Sequence, residues 1–288
     1  MSETTLKATA AASGASATER FLTDKTGGSG APAKDVDTAR VDTLATAVIT
    51  AAHDVVRRHQ VTYDEYNALK SWLISVGQDG EWPLFLDVWI EHVVEEVATA
   101  SREGSKGTIE GPYYVPGAPT LDSVATLPMR DDEAGTPFLF QGQVTGPAGD
   151  PLPGAVLEMW QADDDGLYAQ FAPGIPEWNL RGRIVTDEEG RFAVTTVQPA
   201  PYQIPTDGSC GRLIAAAGWH AWRPAHLHLK VSALGHQILT TQLYFKDGAY
   251  LDADVASAVK PELVLAPRPN PAGGNEVTYD FTLAPEAL

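Results

Sequence analysis

The 288-residue sequence predicts a mainly β protein, a β-sandwich preceded by an N-terminal α-helical segment. Three observations carry that prediction. Glycine (26) and proline (21) are plentiful, which favours turns and short strands over long helices. From residue 138 onward, short alternating or β-branched runs recur between turn-forming clusters, at the spacing of a sandwich. Before that, between residues 37 and 101, apolar residues step by threes and fours, the period of helices.

Residues 1–36 are small, polar and Gly/Ser-rich, ending in KTGGSGAPAKD, and read as a flexible tail. Residues 37–104 follow as a helical linker. Val41, Leu44, Val48, Ala51 and Val55 mark one apolar helical face. Thr62 and Glu65 have capping-box spacing ahead of Tyr66, Leu69, Leu73 and Val76, with Gly77 as the expected C-cap. A third helix is expected after Pro83, carrying Phe85, Val88, His92, Val93 and Val97. Residues 105–288 form the sandwich domain. The run EGPYYVPGAP cannot be helical with its prolines and glycines. FLFQGQV, GAVLEMWQA, HLHLKVS, ILTTQLYF and EVTYDFTL read as strands, and GRIVT and RFAVTTV around DEEG read as a hairpin. Long loops remain at 163–182 and 198–223, and ordered loops of that length usually carry function.

The net charge of −18 argues against nucleic acid as a partner, because a phosphate backbone would be repelled. One cysteine, Cys210, permits no intrachain disulfide and fits a reducing compartment. There is no basic, then apolar, leader pattern and no run near the roughly 18 apolar residues of a membrane span. The expectation is a soluble cytoplasmic protein with no membrane insertion.

His226 and His228 lie two apart on a predicted strand, so both imidazoles point to one face, where one metal could take both. On spacing alone, two polar residues facing solvent is the more economical reading. The surroundings narrow the gap: Leu227 and Leu229 face the other way, and Arg223-Pro224 open the strand. No cysteine pair exists for a structural zinc site. Two loop tyrosines, Tyr168 and Tyr202, are available instead, although a loop tyrosine is usually packing. Two neutral imidazoles with two phenolates would be a hard, anionic set suited to iron(III).

The blocks GTIEGPYYVPGAP, GLYAQF, NLRGRIVTDEEGRF, PAPYQIPTDGSCG, GWHAWRPAHLHLKVSA and LTTQLYF, in that order, resemble the intradiol ring-cleaving dioxygenases. The likeness covers most of residues 105–250, and GEWPLFLDVWIEH is similar to that family's linker. The resemblance implies one iron(III) per chain held by Tyr168, Tyr202, His226 and His228. It implies that Tyr202 is the axial tyrosinate that leaves when substrate arrives, and that Arg223 stabilises charge on the ring. It further implies a substrate pocket of Leu84, Asp87, Ile109, Pro112, Tyr113, Ile204, Arg223 and Gln242. The expected reaction is the opening of catechol by dioxygen to cis,cis-muconate, with hydroxyquinol or chlorocatechols as alternative rings. A homodimer through the linker, able to hold phospholipid at its interface, is also implied. The competing classes are a non-catalytic binding sandwich with a solvent-facing histidine pair, and a copper or zinc protein.

Overall fold

A computed structural model describes residues 37–286, so the expected tail at 1–36 lies outside the described residues. The described residues open with α1 (Thr38–His59), α2 (Tyr63–Gln78), α3 (Trp82–Trp89) and α4 (Glu91–Thr99). Short strands β1 (Thr120–Leu121) and β2 (Val124–Thr126) lead to β3 (Pro137–Thr145), β4 (Val156–Gln161), β5 (Arg181–Val185) and β6 (Arg191–Val197). Then come β7 (Tyr202–Gln203), α5 (Ser209–Ala217), β8 (Trp222–Arg223), β9 (His226–Ser232) and β10 (Leu239–Phe245). The chain ends with β11 (Val264–Leu265), β12 (Arg268–Pro269), β13 (Asn275–Thr278) and β14 (Phe281–Thr282).

The capping box at Thr62 is present: Glu65 N donates to the Thr62 hydroxyl, and Thr62 N donates to the Glu65 carboxylate at 2.8 Å. Two helical expectations need correction. Gly77 lies inside α2, which runs one residue further to Gln78. The expected third helix is two, broken at Ile90, whose φ of −122° is not helical. No Gly or Pro signals that break. Tertiary contact marks it instead, because α4 then presents the Glu91 carboxylate to Glu110 N at 2.9 Å and Gly111 N at 3.3 Å.

Two sheets form the sandwich, in the orders β1-β5-β4-β9-β10-β11 and β12-β13-β3-β6-β2, with β14 beside β3. Between them lies the main core. Leu157, Met159, Leu227, Leu229, Val231, Leu239 and Leu243 from the first sheet meet Phe138, Phe140, Phe192 and Val194 from the second. Each such side chain contributes roughly 1.5–3 kcal/mol by leaving water. The expected hairpin at DEEG is not one. Strand β5 pairs with β4 and β1 in one sheet, whereas β6 pairs with β3 and β2 in the other. The Asp187–Gly190 turn is as tight as a hairpin turn, with Gly190 N on Asp187 O at 3.0 Å. Here it carries the chain from one layer to the next, because both strands have apolar faces to bury in the same core.

The other face of the first sheet positions the site. Strand alternation places Trp160, His226, His228, Gln242 and Tyr244 there. Register puts Trp160 and Gln242 on either side of His228, and Tyr244 beside His226. That face is covered by the helices and long loops, so β9 is buried on both sides. The 198–223 loop contains a helix, α5, which sequence reading left out. Its N-cap Gly208 supplies no side chain, and Glu81 from the α2–α3 turn takes over, accepting from Cys210 N at 2.7 Å. A carboxylate at that helix end is favoured by the dipole as well as by the orphan amide.

Candidate active site

Tyr168, Tyr202, His226 and His228 come together on the covered face of the first sheet. His226 and His228 are 1% and 0% exposed, which removes the solvent-facing reading of this pair. Their Nε2 atoms are 3.0 Å apart. The Tyr168 hydroxyl lies 3.1 Å from His228 Nε2, and the Tyr202 ring meets Tyr168 edge-on at 5.2 Å and His226 at 5.6 Å between centroids. His226 Nδ1 donates to Pro224 O at 2.7 Å, which leaves the Nε2 lone pair directed into the site. Burial, and next the Arg223 cation, push His226 down to about 3, so this imidazole is neutral near pH 7.

Local backbone explains how loops reach this place. Asp163 accepts from Asp165 N and Leu167 N, a turn that swings Tyr168 over the sheet. Gly166, at φ +78°, is required there: a Cβ would stand 2.8 Å from the Tyr202 Cβ. Gly111, at φ +71°, passes close over the site, its missing Cβ 3.5 Å from His228 Cε1. Tyr202 is held by the β7–β8 pair, directly opposite Arg223.

Among the described residues no group of three or more His, Cys, Asp or Glu side chains converges to hold a metal. A metal at this site therefore has to draw on tyrosine. Burial, and then the neighbouring Tyr202, push the Tyr168 phenol well up, and burial raises Tyr202 against the opposing pull of Arg223. Two buried phenols become a charged donor pair only with a strong compensating cation between them. Neutral imidazole nitrogens and hard oxygens suit a small trivalent ion and not a soft one. The donor set fits iron(III).

The expected pocket residues gather beside these four. Leu84, Ile109, Pro112, Tyr113 and Ile204 are buried, and all but Pro112 share one apolar cluster with Tyr168 and Tyr202. The Tyr113 ring stacks on Tyr168 at 4.3 Å, 6° from parallel, and meets Tyr202 edge-on. Asp87 is half-buried on the α3 face it shares with Leu84 and Val88. Gln242 donates to Ile109 O at 2.9 Å and accepts from Arg223 Nη2 at 2.9 Å, tying the pocket wall to the arginine.

Sequence reading missed four further residues. Asp254 pairs with Arg223 at 3.0 Å, both side chains 2% exposed. Tyr244 donates to Gln242 at 2.8 Å. Glu91 anchors the backbone of the pocket wall. Arg181, fully buried, donates to Tyr113 O at 2.9 Å and Ala169 O at 3.1 Å, bracing the wall against the Tyr168 loop. Tyr244 alone had a signal, its two-residue spacing from Gln242 on one strand.

Residues 109–285 match the family described as "Dioxygenase", and residues 38–106 match "Catechol dioxygenase N terminus". The chain is 44% identical over 215 residues to a chlorocatechol 1,2-dioxygenase of Rhodococcus opacus, covering 74% of this chain and 84% of that protein. A catechol 1,2-dioxygenase 1 of Acinetobacter lwoffii is 35% identical over 215 residues, 71% of this chain and 68% of that one. The crystal structure of a 3-chlorocatechol 1,2-dioxygenase from Rhodococcus opacus superposes with a TM-score of 0.84 at 49% identity, covering 87% of this chain and 100% of that one.

Proposed function

The chain belongs to the intradiol ring-cleaving dioxygenases, and on that premise we propose that it opens uncharged catechols, chlorinated or not, using one iron(III) held by Tyr168, Tyr202, His226 and His228. The observation that carries this is the convergence of the His226, His228 and Tyr168 donor atoms at 3.0 and 3.1 Å in a buried pocket. The bond between the two hydroxyl-bearing carbons breaks, and both atoms of dioxygen enter the product; catechol gives cis,cis-muconate. When bound, iron(III) supplies Lewis acidity, drawing electron density from the chelated ring and exposing a ring carbon to dioxygen.

The chain's own residues do the rest. With iron(III) bound Tyr202 would be a phenolate, and its oxygen would take one catechol proton as the ring enters. Arg223 donates to the oxygen on which negative charge develops, and its guanidinium cannot lose its proton to escape that task. Tyr113, Ile109, Leu84 and Ile204 enclose the ring and exclude water.

The lining also bears on the choice of ring. A chlorine is apolar and suits the Leu84, Ile109 and Ile204 side of this wall, whereas a third hydroxyl buried against those side chains would cost about 1–3 kcal/mol. A ring carboxylate would need a free cation, and Arg223 is already paired with Asp254. Turnover of catechol, 3-chlorocatechol, hydroxyquinol and protocatechuate by iron-loaded protein, followed as ring-opened dicarboxylate in the ultraviolet, tests the reading. The first two should be preferred. Iron-free protein that stays colourless on iron loading, or that favours protocatechuate, would overturn it.

We also propose a homodimer through the linker. Val41, Leu44, Val48, Ile49, Val55 and Val56 expose 46–70% of their surface on α1, a large apolar face that a second copy would cover. A groove between two such helices could take phospholipid tails. A monomer mass by sedimentation at micromolar protein would refute the dimer. No helix among the described residues is long and apolar enough to cross a membrane, and the lone buried thiol of Cys210 suits the reducing cytoplasm.

A further inference from the structure

We propose that Asp254 is a positioning residue for the ring-opening reaction: it fixes the Arg223 guanidinium so that its Nη1 edge serves the bound ring. This rests on the function proposed above.

The guanidinium is planar and rigid, so holding one edge of it sets the direction of the other. Asp254 holds one edge with two parallel hydrogen bonds, Nε to Oδ1 and Nη2 to Oδ2, each 3.0 Å. The carboxylate is itself anchored, accepting from Ala256 N at 3.1 Å and Ala258 N at 3.2 Å. Nη2 is further committed to Gln242 Oε1 at 2.9 Å and to the Tyr244 hydroxyl at 3.4 Å. Two of the three guanidinium nitrogens thus have fixed partners on the protein side. Nη1 is the nitrogen that faces the donor cluster, 3.4 Å from His226 Nε2. Nothing else in that network sets its direction as firmly. A counterion alone could sit anywhere near Arg223; a two-pronged, doubly anchored carboxylate specifies an angle.

The decisive variant is Asp254→Glu, which keeps the charge and displaces the carboxylate by one methylene. Iron-loaded wild type and variant are assayed with catechol, and the same change is made in an Arg223→Met background. The expected result is a fold, iron content and tyrosinate absorption like wild type, with kcat lower by about 10–100-fold. KM should stay within about threefold, the pattern of an interaction made in the transition state. In the Arg223→Met background the substitution should change kcat by less than about twofold, because its effect runs through that arginine. Melting temperatures of the four iron-free proteins give a readout independent of turnover and should show the same coupling.

Wild-type kcat in Asp254→Glu would overturn the proposal. So would equal losses in the two backgrounds, or loss of fold or iron together with turnover, which would make the residue structural. Failure of the wild type itself to open the ring would sink the proposed function instead, so the two failures are separable.

Discussion

The hydroxyl of Tyr168 stands 3.1 Å from Nε2 of His228, although sixty residues of chain separate them. The contact exists because the Asp163 turn lays the β4–β5 loop across the face on which β9 places its two imidazoles. Neither partner makes a metal site alone. Removing either donor should therefore empty it: Tyr168→Phe and His228→Ala are each expected to weaken iron binding about 100-fold or more, since losses of 10–100-fold follow even from outer partners of ligands. Iron per chain by elemental analysis and the visible tyrosinate absorption check this. Full iron occupancy in either variant would remove that residue from the ligand set.

Arg223 gives a different signature. Arg223→Ala leaves the four donors in place and takes away an oriented charge, so iron and colour should persist while kcat falls about 10²–10³-fold. It also strands Asp254, buried at 2% exposure, without its partner. The variant should accordingly be less stable than wild type by about 3–5 kcal/mol. Chemical denaturation beside steady-state kinetics separates the two effects. Near-normal turnover in an iron-replete variant would end the assignment.

How much of this could be read beforehand varied with the physics involved. The histidine pair was legible because a two-residue spacing on a strand dictates a shared face whatever the fold. Helix α1 and the Thr62 capping box were legible because their signals are local. The DEEG turn misled for the same reason: Asp187–Gly190 closes locally like a hairpin, and nothing local reports that β5 and β6 bury their apolar faces from opposite sheets. The break at Ile90 and the helix α5 are fixed by distant groups, Glu91 on the 110–111 amides and Glu81 on Cys210 N. Asp254 was one acid among 38 Asp and Glu residues, and only tertiary structure brings it to Arg223. Of the pocket, Tyr113 and Gln242 came through family likeness; their stacking and hydrogen bonding came only with the fold.

Arg181 offers a test of how rigid the pocket must be. Its guanidinium reaches Tyr113 O and Ala169 O, one on the pocket wall and one beside the proposed ligand Tyr168. Arg181→Met keeps much of the volume and removes both donors, leaving two buried carbonyls short of a partner at about 1–3 kcal/mol each. The expected outcome is a lower melting temperature together with a raised KM, because the wall and the ligand loop lose their common brace. An unchanged KM with only a lower melting temperature would reduce Arg181 to a stability role.

The Arg223–Asp254 pair also predicts a pH dependence with a definite sign. Burial alone would raise the Asp254 carboxyl, but the charge and hydrogen bonds of Arg223 more than offset it and hold it below its ordinary 3.8. A carboxyl depressed by folding contributes stability that is fully present above its unfolded value and is lost as pH falls through the folded value. The stability gap between iron-free wild type and Asp254→Asn should thus be constant above about pH 5 and close below 3.8. For one proton the closing rate cannot exceed about 1.4 kcal/mol per pH unit. Denaturant midpoints of the two proteins between pH 7 and the acid limit of folding measure it. A gap that stays constant down to that limit would mean that the Asp254 charge does not stabilise the fold.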